Sequence, residues 1–215
     1  MKPQFVTITG VDDRTDLGRL AALSAQYPVE WAVLYSPEAQ GVHQRFPSQP
    51  TIDRLFALQA QAGMRLAAHL CGKHAKAVMR GEFDRTALEI SPYGRIQVNH
   101  LKPKSEMLRD FAVPGQTVIA QWRNGDSFPS DDVGHQWLYD PSGGKGLSPT
   151  SWPLNPTDRI HGYAGGLGLW NIAAVARAVS QVSPSGFWLD LETGARTDDW
   201  LDLDVVERIL AAAFA

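Results

Sequence analysis

The sequence predicts an α/β protein folded as a single (β/α)8 TIM barrel over residues 1–215, with a weak or missing helix after the fifth strand. Three observations carry that expectation. Eight short runs rich in β-branched and aromatic residues recur along the chain, nearly all are followed by residues of helical period, and glycine-bearing turns follow the later runs. Strand and helix in alternation imply a parallel sheet covered by helices, and eight units are the number that closes a ring. The rival, a doubly wound open sheet, would place a dinucleotide at the first strand–helix turn. There Thr9-Gly10-Val11-Asp12-Asp13 has one glycine where that fingerprint wants three.

Taken in order, Phe5 to Thr9 reads as the first strand, and Thr15-Asp16 caps a helix through Leu17, Leu20 and Leu23 that Pro28 stops. Trp31 to Tyr35 is the second strand, with a helix from Thr51 to Ala62 ended by Gly63. Arg65 to Cys71 is the third, followed by a helix from about Lys73 to Met79. Arg95 to Asn99 is the fourth, with a short helix from Ser105 to Phe111, and Thr117 to Trp122 the fifth. Arg123 to Asp132 is polar and interrupted by Gly125 and Pro129, so a loop or one turn is expected. Gln136 to Asp140 is the sixth strand, with a Gly/Ser/Pro-rich connection to about Thr157. Arg159 to Ala164 leads to a helix over Leu169 to Val179, and Phe187 to Leu191 to a closing helix over Leu203 to Phe214.

An apolar fraction of 44% with seven tryptophans suffices for one core, and no linker or repeat divides the chain. The net charge of −3 gives no electrostatic reason to expect nucleic acid or anionic membrane. No apolar run reaches the roughly 18 residues of a membrane span, and the N-terminal apolar run is too short for a signal peptide. The single cysteine, Cys71, excludes an intrachain disulfide and a multi-thiolate zinc site. A cytoplasmic monomer or homodimer acting on a small molecule, without cofactor or metal, is the expectation.

In such a barrel, groups at the C-terminal strand ends surround the active site. Those aimed there include Thr9, His69, Cys71, Asn99, Gln121, Asp140, Gly165 and Glu192. His69 and Cys71 alternate onto one face if strand three reaches them; they supply a base, bind a metal with His100 or Asp140, or are core residues. Asp140 is a catalytic carboxyl or the cap of the loop beginning at Pro141. Glu192 is a site residue or the partner of Arg196, and Asp190 is expected to point away from the centre. Three turns, Gly143-Gly144-Lys145-Gly146, Gly165-Gly166 and Thr193-Gly194, bind an anion through backbone amides or serve close packing. Tryptophans near loops, Trp170 among them, stack on a ligand or belong to the core.

The order of these turns resembles phosphoribosylanthranilate isomerase. Val6-Thr7-Ile8-Thr9-Gly10-Val11 is similar to the family's first strand, and Trp137 to Asp140 with Gly143-Gly144-Lys145-Gly146 to its sixth and the following loop. Ala164-Gly165-Gly166-Leu167 matches its A-G-G-L turn, and Leu189-Asp190-Leu191-Glu192-Thr193-Gly194 is similar to its D-V-S-S-G turn. The resemblance implies an Amadori-type rearrangement in which Asp140 is the acid. It also implies departures. Thr9 stands where the family has its cysteine base, Ser36-Pro37-Glu38 lacks its substrate-binding arginine, and Glu192 replaces a phosphate-binding serine. Two charges about 4 Å apart repel by roughly 4 kcal/mol at an effective dielectric near 20, so a phosphate beside Glu192 is disfavoured.

These readings give an enzyme of isomerase or lyase type that moves a proton next to a carbonyl or imine of a small polar metabolite, phosphorylated or sugar-derived. Asp140 would be its acid and His69 or Cys71 its base. The alternatives are a non-catalytic ligand-binding or regulatory barrel and phosphoribosylanthranilate isomerase itself.

Overall fold

The computed structural model describes residues 1–130, 134–143 and 145–215. Eight parallel strands close into a barrel in sequence order: β1 (Val6–Thr9), β2 (Val29–Tyr35), β3 (Arg65–Leu70), β4 (Arg95–Val98), β5 (Thr117–Trp122), β6 (Gln136–Tyr139), β7 (His161–Ala164) and β8 (Phe187–Leu191). The ring shuts where β8 pairs with β1 in the register Val6↔Leu189, Thr7↔Asp190 and Ile8↔Leu191. Helices α1 (Leu17–Gln26), α2 (Gln49–Ala62), α3 (Gly72–Arg80) and α4 (Ser105–Phe111) follow the first four strands, and α5 (Ile172–Val182) and α6 (Leu203–Ala213) follow β7 and β8.

Among the described residues no helix follows β5, as the sequence indicates, and none follows β6 either. The connection after β5 instead pairs Ser127 with Leu154 of the connection after β6. Phe128, buried against His161 and Tyr163, covers that flank of the sheet in place of a helix. A further difference lies after β8. There a hairpin, β9 (Arg196–Thr197) with β10 (Trp200–Leu201), precedes α6, and its turn residues Asp198 and Asp199 both have positive φ. That is the backbone of a tight hairpin turn, built here from two aspartates rather than glycine.

The helices bury one stripe each. Asp16 caps α1 by accepting from the amides of Gly18 and Arg19, and α6 packs Leu203, Val206, Ile209, Leu210 and Ala213 inward at helical spacing. The strands' outward residues join that apolar shell, which holds Val6, Ile8, Val33, Ile96 and Val98. The lumen is different. Phe5, Ile119, Leu138, Ala164 and Trp188 form a small apolar plug, with Trp188 lying over Gly162 where any side chain would collide. Around the plug, beside Ala32, Leu34 and Ala67, the inward face carries polar residues: Thr7, Glu30 and Arg95 towards the N-terminal strand ends, and Thr9, His69, Gln97, Gln121 and Asp190 towards the C-terminal ends. Among the described residues no helix is long and apolar enough to cross a membrane.

Candidate active site

The C-terminal ends of the strands enclose a cleft of about 120 Å³. Thr9, His69, Gln97, Asn99, Gln121, Asp140, Asp190 and Glu192 line it, with Trp170 at its edge. β8 sets the arrangement. Alternation places Trp188, Asp190 and Glu192 on one face, so Asp190 projects into the lumen beside Glu192, contrary to the expectation that it points away. The strand's inward face simply continues through both carboxylates.

At the floor, Asp190 Oδ1 accepts a 2.8 Å hydrogen bond from Thr9 Oγ1. Its other oxygen, Oδ2, faces His69 Nε2 at 3.8 Å, too far for a hydrogen bond. Both of those atoms are buried without a partner, as is Gln97 Oε1. The far side of the imidazole, Nδ1, lies 3.4 Å from Gln97 Nε2, which donates to Asn99 Oδ1 at 2.8 Å. Burial pushes the Asp190 carboxyl up to about 8; the bond from Thr9 opposes this, and the carboxylates Glu30, Asp140 and Glu192 add to it. Burial, with Arg95 adding to it, drives His69 down to about 3, so its ring is neutral near pH 7.

Cys71 stands one step behind this floor. It is the N-cap residue of α3, its Sγ accepts from Asn99 Nδ2 at 3.2 Å, and it does not line the cleft. Burial pushes its thiol up to about 11, which keeps it protonated at neutral pH and unfit to serve as the base. Asp140 lines the cleft and also closes its own loop, Oδ1 accepting from Ser142 Oγ at 2.9 Å and from the Gly143 amide at 3.1 Å. His100 is half-buried, and its ring contacts the Lys102 backbone. Among the described residues no group of three or more His, Cys, Asp and Glu side chains is placed to hold a metal ion.

At the rim, Glu192 does not meet Arg196. Arg45, from the connection between β2 and α2, bonds Glu192 Oε1 at 2.6 Å through Nη1 and Asp199 Oδ1 at 2.7 Å through Nε. Arg196 instead meets the buried Asp12, whose Oδ2 also accepts from the Leu201 amide at 2.7 Å and so ties the hairpin to the β1 end. The sequence places no arginine after β2 at the mouth; Arg45 reaches it because the long connection folds back across the top.

The glycine turns pack on one another. A side chain at Gly166 would strike Ser148 and the Gly146 carbonyl, and one at Gly194 the Leu167 carbonyl. Gly165, Gly166, Gly146, Thr193 and Gly194 all line the cleft, Gly143 sits against the Arg123 guanidinium, and Lys145 is exposed. Gly144 lies outside the described residues. The amide of Gly168 is taken by Asn171 Oδ1 at 2.9 Å.

No protein-family model matches the chain, and no curated protein sequence does. Among solved structures, an N-(5'-phosphoribosyl)anthranilate isomerase from Pyrococcus furiosus matches with a TM-score of 0.59 over 98% of each chain, at 13% identity. The likeness is one of fold: a single closed barrel of eight parallel strands.

Proposed function

We propose that the protein is an isomerase-type enzyme that moves a proton next to a carbonyl or imine of a small polar metabolite, with Asp190 as the group that carries the proton. The observation behind this reading is the floor of the cleft. A buried carboxyl near its midpoint at neutral pH, held on one oxygen by Thr9 at the lining of the cleft, turns its other, unpaired oxygen towards a neutral imidazole. A group with that pKa is suited to act as acid and base in one cycle.

On an aldosylamine the steps balance as follows. Asp190 gives its proton to the ring oxygen as the C1–O bond breaks and the nitrogen lone pair forms the imine. The carboxylate left behind takes the proton from C2, and that C–H electron pair becomes the C=C bond of an enaminol. Asp190 then gives that proton to C1 as the C2 hydroxyl loses its own to become the ketone oxygen, and the released proton returns to Asp190, which is again an acid. His69, neutral, hydrogen-bonds the oxygen on which charge develops, and Thr9 orients the carboxyl rather than acting as base. Asp140, whose Oδ1 accepts from Ser142 and the Gly143 amide, lines the cleft beside it. The fold shared with a phosphoribosylanthranilate isomerase supports the reaction class, while Asp190 takes the part that a cysteine at position 9 would play by the sequence resemblance.

The test is solvent exchange. In D2O, with aldoses, ketoses and their glycosylamines as probes, proton NMR should show deuterium entering at the carbon next to the carbonyl or imine. Asp190→Asn retains the acceptor for Thr9 and should slow that exchange by about 10²- to 10⁴-fold with the unfolding midpoint at pH 6 held. Exchange that persists in Asp190→Asn, or none in the parent chain, removes the reading. Phosphoribosylanthranilate belongs in the probe set, its consumption followed by loss of fluorescence.

A further inference from the structure

Resting on the reading above, the donor set of the cleft specifies a ligand class. The lining contains Thr9, Gln97, Asn99, Gln121, Ser142 and Thr193, the three carboxylates Asp140, Asp190 and Glu192, and neither lysine nor arginine. The cations that come near are already bonded: Arg45 to Glu192 Oε1 of the lining and to Asp199, Arg123 to Gln121 Oε1 of the lining, and Arg95 to Glu30. Lys145, the basic residue of the glycine loop after β6, is exposed and does not line the cleft.

A phosphate ester is held best by cationic donors, and this cleft is lined by carboxyl groups and by no lysine or arginine. A polyhydroxylated ligand needs the reverse: amides and hydroxyls that both donate and accept, and carboxylates that accept from hydroxyl or ammonium groups. Three buried polar atoms already await such a partner. His69 Nε2 and Asp190 Oδ2 face each other at 3.8 Å, Gln97 Oε1 is the third, and their residues are 2%, 6% and 3% exposed. Buried polar atoms are seldom left unpaired unless something binds there. At the edge, Trp170 is 73% exposed and lies against Gly168, where it costs apolar exposure without adding to the core. An indole so placed offers a flat face to the C–H side of a sugar ring.

We propose that the cleft takes an unphosphorylated amino sugar or glycosylamine. Its amino group meets Asp140 and Glu192 at the rim, where Arg45 occupies only Oε1 of Glu192, one of its oxygens bridges Asp190 Oδ2 and His69 Nε2, and its ring lies on Trp170.

The test reads binding without turnover. The full chain is titrated at pH 7 by calorimetry with D-glucosamine, D-galactosamine, 1-amino-1-deoxy-D-fructose, N-acetyl-D-glucosamine, D-glucosamine 6-phosphate and inorganic phosphate. At least one free amine should bind tenfold or more tightly than the acetylated and phosphorylated probes. Trp170→Ala should weaken that amine by about three- to tenfold with an unchanged unfolding midpoint, and Glu192→Gln should narrow the preference for the amine over its acetylated form. Tighter binding of glucosamine 6-phosphate or phosphate overturns the inference, and so does failure of all three amines. Amine binding without solvent exchange leaves the ligand class standing and removes the proposed chemistry. Exchange into a phosphate ester, with no amine bound, does the opposite.

Discussion

The lumen of the barrel holds two acid–base pairs, and they are built in opposite ways. Towards the N-terminal strand ends, Glu30 and Arg95 meet at 2.7 Å; Thr7 donates to the same Glu30 oxygen at 2.9 Å, Arg95 also reaches Gln136 at 3.1 Å, and its guanidinium stacks 4.1 Å from the Trp188 ring. Charge, hydrogen bonds and packing all agree there. Towards the C-terminal ends, His69 and Asp190 stop at 3.8 Å with their facing atoms unpaired. The chain can evidently close such a pair in this lumen, because it does so one layer below. On the proposed reading the open pair is where a ligand binds, and the closed pair is the scaffold beneath it.

The largest effect should come from breaking the closed pair. Glu30→Ala strands the Arg95 guanidinium in the lumen and should cost about 3–5 kcal/mol in denaturant unfolding. The double change Glu30→Leu with Arg95→Met removes both charges and should recover most of that loss. If Glu30→Ala costs less than about 1 kcal/mol, the lower layer is not the clamp described above.

The pH dependence of stability separates the layers next. Asp190 has its carboxyl raised to about 8 from 3.8, so the folded chain holds a proton that the unfolded chain releases. Its contribution is complete below pH 3.8 and is lost as pH rises through about 8. His69, lowered to about 3, and His161, lowered to about 4 by burial with Arg159 and His135 adding, act in the other direction. Their contributions are present above the ordinary value of 6.5 and are lost as pH falls through those folded values. The rising terms from His69 and His161, joined by His74, which burial also lowers, outweigh the falling term below about pH 6.5, and Asp190 governs above it. Stability should peak near pH 6.5 and fall by roughly 1–2 kcal/mol towards pH 8, at about 1.4 kcal/mol per unit for one proton. Asp190→Asn should flatten that alkaline limb, and a limb that survives the substitution assigns the titration to another group.

The sequence shows the ring itself more readily than either pair: Glu30 falls outside the expected second strand, which starts at Trp31 where β2 starts at Val29, and of the open pair only His69 is read as a site residue. Strands β5 and β8 match the apolar and β-branched runs residue for residue, because such runs depend on local pattern. Asp140 and Glu192 are visible as carboxylates at strand ends. Asp190 is misread, although the alternation Trp188, Asp190, Glu192 is present: a strand that stops at Leu191 puts only one carboxylate on the inward face. Arg45 had no local signal. It lies 147 positions from Glu192, and what brings it there is a connection with no period of its own. The hairpin after β8 was hidden for a related reason, since Asp198-Asp199 lacks the glycine that usually marks such a turn. Cys71 misled through its chemistry, because a thiol's reactivity depends on burial that a strand pattern does not display.

The smallest predicted effect is the sharpest contrast between the layers. His69→Leu keeps similar volume at the floor and deletes an unpaired Nε2. Leaving a buried polar atom without a partner costs about 1–3 kcal/mol, so its removal offsets the lost 3.4 Å contact with Gln97. Denaturant unfolding at pH 7 should place His69→Leu within about 1 kcal/mol of the parent chain, or above it, while deuterium exchange and amine binding both decline. A loss comparable to that of Glu30→Ala would mean that His69 is held by the fold as firmly as Arg95, and the distinction between scaffold and site would disappear. Groups kept for chemistry are commonly suboptimal for stability, and in this barrel the two requirements are separated by a single layer of side chains.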